Sequence, residues 1–181
     1  MERIDASKNL HEPILERDGL GEIYKTKNAK FTKGQKEALN YILTSRESVM
    51  GIQGDAGTGK TTMLNALREE LESIGIHVKG FAVTNKATEE LTKGAGIESQ
   101  TLYSFFLNKN HNTDKLPENK KSEMWIIDEA GMVGSKGIFK LLKLAEKENA
   151  RIVLIGDGKQ LMPIDAGKMF VLLHEIRFLA R

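Results

Sequence analysis

The sequence predicts an α/β fold: a mainly parallel sheet with helices on both faces. Three observations predict it. Short, near-continuous apolar runs recur along the chain, as strands buried on both faces require. Longer segments between them carry apolar residues every three or four positions, the spacing of amphipathic helices. The two kinds of segment alternate, so each strand returns to the next through a right-handed crossover.

The elements follow in order. Residues 1–30 are polar and weakly patterned, with Asp18, Gly19 and Gly21 marking a turn, and read as a peripheral lead-in to a domain over 31–181. In "KGQKEALNYILTS", Ala38, Leu39, Ile42 and Leu43 share one helical face. "SVMGIQG" (48–54) is an apolar run ending in glycine, suited to a buried parallel strand. Beyond it Met63, Leu64, Leu67, Leu71 and Ile74 recur at helical spacing until Gly75 stops the helix. "HVKGFAV" (77–83) is a second strand. Thr84 and Asn85 then stand where an N-cap belongs, ahead of "KATEELTK".

"QTLYSFFL" (100–107) reads as a short apolar helix, and 108–122, polar with a proline and no periodicity, as a loop. "EMWIIDEA" (123–130) is a buried strand running into acids. "GIFKLLKLAEKENA" (137–150) is a helix with Ile138, Leu141, Leu142 and Ala145 facing inward, and "RIVLIGDG" (151–158) a fourth strand. No internal repeat is visible.

Composition narrows the function. At 181 residues, 40% apolar and 29% charged, the chain is an ordinary single globular domain. No apolar run reaches the roughly 18 residues a membrane span needs. The absence of cysteine removes disulfide and thiolate chemistry and fits a cytoplasmic protein. Net charge is only +2, so nucleic-acid binding has to come from local patches. Lys25, Lys27, Lys30, Lys33 and Lys36 form one such patch, equally readable as a solvated connector.

"GDAGTGKTT" spans Gly54, Asp55, Ala56, Gly57, Thr58, Gly59, Lys60, Thr61 and Thr62, and fits G-x-x-x-x-G-K-[ST] between a strand and a helix. Its glycines let successive N–H groups turn toward a phosphate. Lys60 places an ammonium among the outer phosphates, Thr61 offers its hydroxyl to Mg²⁺, and the helix dipole adds attraction. The acids of "WIIDEAGMV" follow a strand whose end opens on the same crevice. Asp128 there suits Mg²⁺ through water, and Glu129 suits orienting and deprotonating an attacking water. In "LIGDGKQLMPI", Gln160 can contact a γ-phosphate. Gln35, nineteen residues before Gly54, can pair with the N6 and N7 edge of adenine and so select ATP. Taken singly, either glutamine is more often a surface or capping residue.

"FTKGQKEAL", "GDAGTGKT", "DEAGMV" and "GDGKQLMPI" together resemble the motifs of superfamily 1 DNA helicases, in the same order. The resemblance is to the helicase portions of conjugative relaxases and then to RecD-like helicases, over about residues 31–170. It implies a RecA-like P-loop NTPase fold, ATP and Mg²⁺ as cofactors, single-stranded DNA as partner and 5′→3′ movement. Thr84 and Asn85 match a first strand-contacting motif. Thr101 and Tyr103 (or Phe105) match a second, although Phe105 and Phe106 also suit a core. Residues 108–122 fall where such helicases insert a small 1B-type subdomain, or form only a loop.

Two departures qualify the resemblance. The chain ends at Arg181, before a second RecA-like domain and its arginines, so slow ATP hydrolysis is expected of this chain alone. His11, His77, His111 and His174 are scattered, without the spacing of a metal-dependent nicking site. The competing readings are a truncated ATP-binding remnant or docking module, and another kind of P-loop NTPase.

Overall fold

A computed structural model describes residues 11–15, 31–54, 57–111 and 122–156. Its centre is a five-stranded, fully parallel sheet: β1 (Val49–Gln53), β2 (His77–Ala82), β3 (Glu98–Thr101), β4 (Glu123–Ile127) and β5 (Ala150–Gly156), in spatial order β1-β5-β4-β2-β3. The helices are α1 (Lys33–Thr44), α2 (Lys60–Ser73), α3 (Asn85–Ala95), α4 (Leu102–His111) and α5 (Ser135–Glu148). A single 3₁₀ turn, Ala130–Met132, links β4 to α5.

The two faces of the sheet bury different layers. Met124 and Ile126 of β4, with Val153 and Ile155 of β5, pack under α1, α2 and α3. Trp125 and Ile127, with Ile152 and Leu154, pack under α4 and α5. This period-2 alternation of strands that are apolar at nearly every position is what a sheet covered on both sides demands. The second layer centres on Phe81, Phe105 and Trp125, whose ring centroids lie 4.6 to 5.4 Å apart. Glu123 is buried beside them but paired, to Lys79 Nζ at 2.9 Å and to Trp125 Nε1 at 2.7 Å.

Several expectations need correction. β3 was not anticipated: "ESQT" is a short, polar strand that among the described residues pairs with β2 alone, so it carries no apolar run to betray it. Gln100 and Thr101 therefore end a strand, and the helix begins at Leu102 rather than Gln100. That helix runs to His111, so the first residues of 108–122 are helical, while 112–121 lie outside the described residues. Ile74 lies past the end of α2 as its C-cap and is 47% exposed, because the chain turns away at Gly75 (φ +83°). Leu142 is only partly buried.

His11–Leu15 pack against the end of α1 and the start of β1. His11 N donates to Arg46 O, Leu15 N to Leu43 O, and Ile14 and Leu15 extend the first core layer. Arg151 is buried nearby, donating to the Ser45 and Glu47 carbonyls. Burial pushes its pKa down to about 10, against the raising effect of Tyr41 and Glu47.

Candidate nucleotide site

Every candidate site residue that the structure describes, Gln35 apart, lies at or just beyond a strand's C-terminal end. The glycine loop follows β1, Thr84 follows β2, Thr101 ends β3, and Asp128 and Glu129 follow β4. That common edge is where an open parallel sheet presents its crevice. Asp55, Ala56 and Gln160 lie outside the described residues, as do Lys25, Lys27 and Lys30 of the lysine patch. Gly156 nevertheless ends β5 beside the loop, accepting from Gly54 N at 3.1 Å.

The loop geometry separates the roles of its glycines. Gly57 (φ +78°) and Gly59 (φ +73°) are in the left-handed region, which favours glycine. Gly54 is not; a Cβ there would stand 2.9 Å from Lys60 Cδ, so its missing side chain makes room for the lysine stem. Gly59 is the N-cap of α2 and supplies no side-chain acceptor, so the first-turn N–H groups have none from their cap. A cleft of about 410 Å³ opens beside this helix end, lined by Gln35, Ala38, Gly54, Thr58, Lys60 and Ile155 among others. Uncapped donors, an aligned helix dipole and an adjacent lysine fit a polyphosphate.

Gln35 is tied into the same loop. Its Nε2 donates to the carbonyls of Thr58 at 2.9 Å and Gly59 at 3.0 Å. Its Oε1 accepts from Thr32 N at 2.9 Å, while Thr32 Oγ1 accepts from Gln35 N, a complete capping box on α1. The capping alternative noted for this residue is therefore present, together with a loop contact that sequence reasoning missed. The signal was legible as Thr32-x-x-Gln35.

Thr61 and Thr62 occupy the first turn of α2, Thr61 half-buried and Thr62 exposed. The Thr61 methyl packs so closely on α3 that a Cβ on Gly94 would meet it at 2.3 Å. On the opposite side of the crevice, Asp128 N continues the sheet by donating to Phe81 O, and Asp128 Oδ1 accepts from Glu129 N. Glu129 adopts φ +52°, a left-handed conformation costly for a residue with a side chain. Its Oε2 accepts from Thr84 Oγ1 at 3.2 Å. Three or more His, Cys, Asp or Glu do not cluster anywhere among the described residues. Thr61 and Asp128 are the groups that could share a magnesium ion with phosphate oxygens and water, the coordination that ion prefers.

The expected strand-contacting residues lie toward β3, the sheet edge opposite β1. Thr84 caps α3 through Ala87 N, and Asn85 is the first, exposed residue of that helix. Thr101 Oγ1 accepts from Ser104 N and still has a proton to donate. Tyr103 is 74% exposed, whereas Phe105 is buried in the aromatic cluster.

A family model described as an AAA domain matches residues 30–178. The chain belongs to this AAA domain family. The AAA domain is 39% identical over 145 residues to the "Probable conjugal transfer protein TraA" of Sinorhizobium fredii, covering 80% of this chain and 13% of that protein. It is 31% identical over 147 residues to the "Multifunctional conjugation protein TraI" of Escherichia coli K12, covering 78% and 8%. It is 31% identical over 146 residues to the "ATP-dependent RecD2 DNA helicase" of Deinococcus radiodurans, covering 76% and 20%. The chain thus spans no more than a fifth of these relatives. They belong to the two groups that the motif order resembles. No helix among the described residues is long and apolar enough to cross a membrane.

Proposed function

We propose that this AAA domain is the ATP-binding first motor domain of a 5′→3′ DNA helicase that works in conjugative transfer. The observation that carries the proposal is the α2 N-terminus: an uncapped helix end entered through left-handed Gly57 and Gly59, with Lys60 and an open cleft beside it. The names of the relatives, a helicase and two conjugation proteins, support the use of the nucleotide.

In this reading the chain's groups divide the work. The α2 amides and Lys60 hold the phosphates, while Thr61 and Asp128 hold Mg²⁺, whose charge offsets that of the phosphates. Glu129 orients a water and takes its proton. Gln35 reads the adenine edge and Gln160 the γ-phosphate. Thr84, Asn85, Thr101 and Tyr103 contact single-stranded DNA. A second RecA-like domain, in a longer chain or another protein, supplies the arginines that complete the site. Such an arginine contributes about 10³ to 10⁵ in rate, so these 181 residues bind ATP–Mg²⁺ and hydrolyse it slowly.

The test is nucleotide binding and steady-state hydrolysis by the 181-residue chain, with and without single-stranded DNA. ATP should bind in a Mg²⁺-dependent way, Lys60→Ala should abolish binding, and turnover should be slow. Brisk, DNA-stimulated turnover would show that the chain needs no second domain. A chain that binds no nucleotide would remove the motor reading altogether.

A further inference from the structure

Charge is divided unequally between the two helical layers. α1, α2 and α3 carry six cationic side chains and six acidic ones. α4 and α5 carry five lysines against two glutamates, and one of those, Glu148, turns inward to Lys109.

The excess is organised. Lys136, Lys140, Lys143 and Lys147 follow one another at intervals of four, three and four residues, which places them on one face of α5, over roughly 16 Å of helix. The inward face is held by Ile138, Leu141 and Ala145, so the lysines look away from the core. On α1 and α3, three surface lysines have an acid four residues away: Lys33 has Glu37 at 3.9 Å, Lys86 has Glu90 at 4.0 Å, and Lys93 pairs with Glu89. On α5 the residue four on from Lys136 is Lys140 and four on from Lys143 is Lys147, and Glu146, three on from Lys143, is the one acid on the helix that does not turn inward. Lys136, Lys143 and Lys147 make no ion pair with a described residue. Like charges at that spacing destabilise a helix, and a bound polyanion would relieve them.

Aromatic rings lie among these charges. Phe139 is 52% exposed, with Lys143 Nζ 4.5 Å from its ring centroid. Lys140 Nζ lies 4.7 Å from the Phe106 centroid, which joins α5 to α4. α4 adds exposed Tyr103 and Leu107, one turn apart. Lysines that track a backbone, interleaved with rings that accept bases, are the composition of a single-strand binding surface.

We propose that the outer face of α5, continued by Tyr103 on α4, is a track for single-stranded DNA, in which Lys136, Lys143 and Lys147 contact phosphates and Phe139 stacks on a base. The choice of DNA as the polyanion rests on the motor reading above. The track itself adds contacts outside the strand-end loops to which that reading assigns DNA.

The experiment is fluorescence anisotropy of a labelled oligothymidylate, and of a labelled duplex of the same length, with the full chain over a series of salt concentrations. Each single-strand phosphate contact contributes about 0.7 to the slope of log affinity against log salt. The triple variant Lys136→Gln/Lys143→Gln/Lys147→Gln should therefore flatten the slope by about 2. Phe139→Ala should weaken binding by about tenfold. The control Lys86→Gln/Lys93→Gln should leave the slope unchanged, and nucleotide affinity should be unchanged in all variants. Oligothymidylate binding with the same slope in the triple variant and the control overturns the track and leaves the motor reading standing. Loss of duplex affinity alone in the triple variant overturns the single-strand assignment. An unaltered chain that binds no oligothymidylate at low salt overturns the DNA reading and the track with it.

Discussion

The Thr84 hydroxyl donates to Glu129 Oε2 at 3.2 Å while accepting from Ala87 N, also at 3.2 Å. A hydroxyl has one proton, so Thr84 cannot donate to a DNA phosphate and to Glu129 through the same bond. Contact with a strand at Thr84 would thus free the carboxylate proposed to activate water. Thr84→Val removes both bonds and keeps the shape. It should lower stability by about 1 kcal/mol through the lost α3 cap, and raise single-turnover ATP hydrolysis in the absence of DNA. Thr84→Ser should restore the parent values of both. Equal hydrolysis by the Val and Ser variants would show that the bond does not restrain Glu129.

Gln35 joins α1 to the loop through Thr58 O and Gly59 O, with both amide hydrogens engaged. Pairing with adenine requires it to release at least one of them. Gln35→Ala should relax the preference for ATP over GTP and lower thermal stability, because the α1 capping box is lost with the loop ties. Gln35→Glu places a carboxylate against two carbonyls and should weaken both nucleotides further. Competition binding with the two nucleotides checks this, and an unchanged ATP-to-GTP ratio in Gln35→Ala would remove the adenine role.

Gly94 lies against the Thr61 methyl, and a Cβ there would approach Thr61 Cγ2 to 2.3 Å. Gly94→Ala should displace the Thr61 side chain and weaken Mg²⁺-dependent nucleotide binding, although α3 itself gains helix propensity. Thr61→Ser keeps the hydroxyl and lacks the methyl, so the double variant Gly94→Ala/Thr61→Ser should recover affinity. No recovery in titration calorimetry would mean that the clash is absorbed elsewhere.

His11 contacts Ser48 Oγ at 3.0 Å, and its pKa is lowered first by burial and then by the Arg151 charge. The folded state therefore favours the neutral ring, and the unfolded chain takes up the proton at a higher pH. Stability from this residue is present above about pH 6.5 and is lost as pH falls through the lower folded value. Melting temperature should decline from about pH 7.5 to about pH 5.5, and His11→Asn should flatten that decline. An equal decline in the variant would assign it to other groups.

Much of the fold was legible because its signals are local. β4 and β5 are mostly apolar runs buried on both faces, as a fully covered strand requires, while β1 and β2 are shorter apolar runs buried at alternate positions or toward one end. α2 and α5 show their inward stripes, and Gly75 its turn, within a few residues. β3 left no such trace, because an edge strand gains its stability from backbone pairing with β2 rather than from side-chain burial. The Thr32–Gln35 capping box stood in plain sequence, but its second partner lies 24 residues away and appears only when α1 meets the loop.

By itself, the sequence determined the class of the fold, the order of its main elements, and the residue types that gather at a phosphate. These follow from hydrophobic period and from glycine and lysine chemistry, which act over a few residues. Only the tertiary structure decided that Thr84 rests on Glu129, that Gly94 confines Thr61, that Tyr103 rather than Phe105 is exposed, and that Lys136, Lys143 and Lys147 form no ion pair with a described residue. Those relationships join segments far apart in the chain, and close packing across the sheet, rather than any local preference, sets which side chains meet.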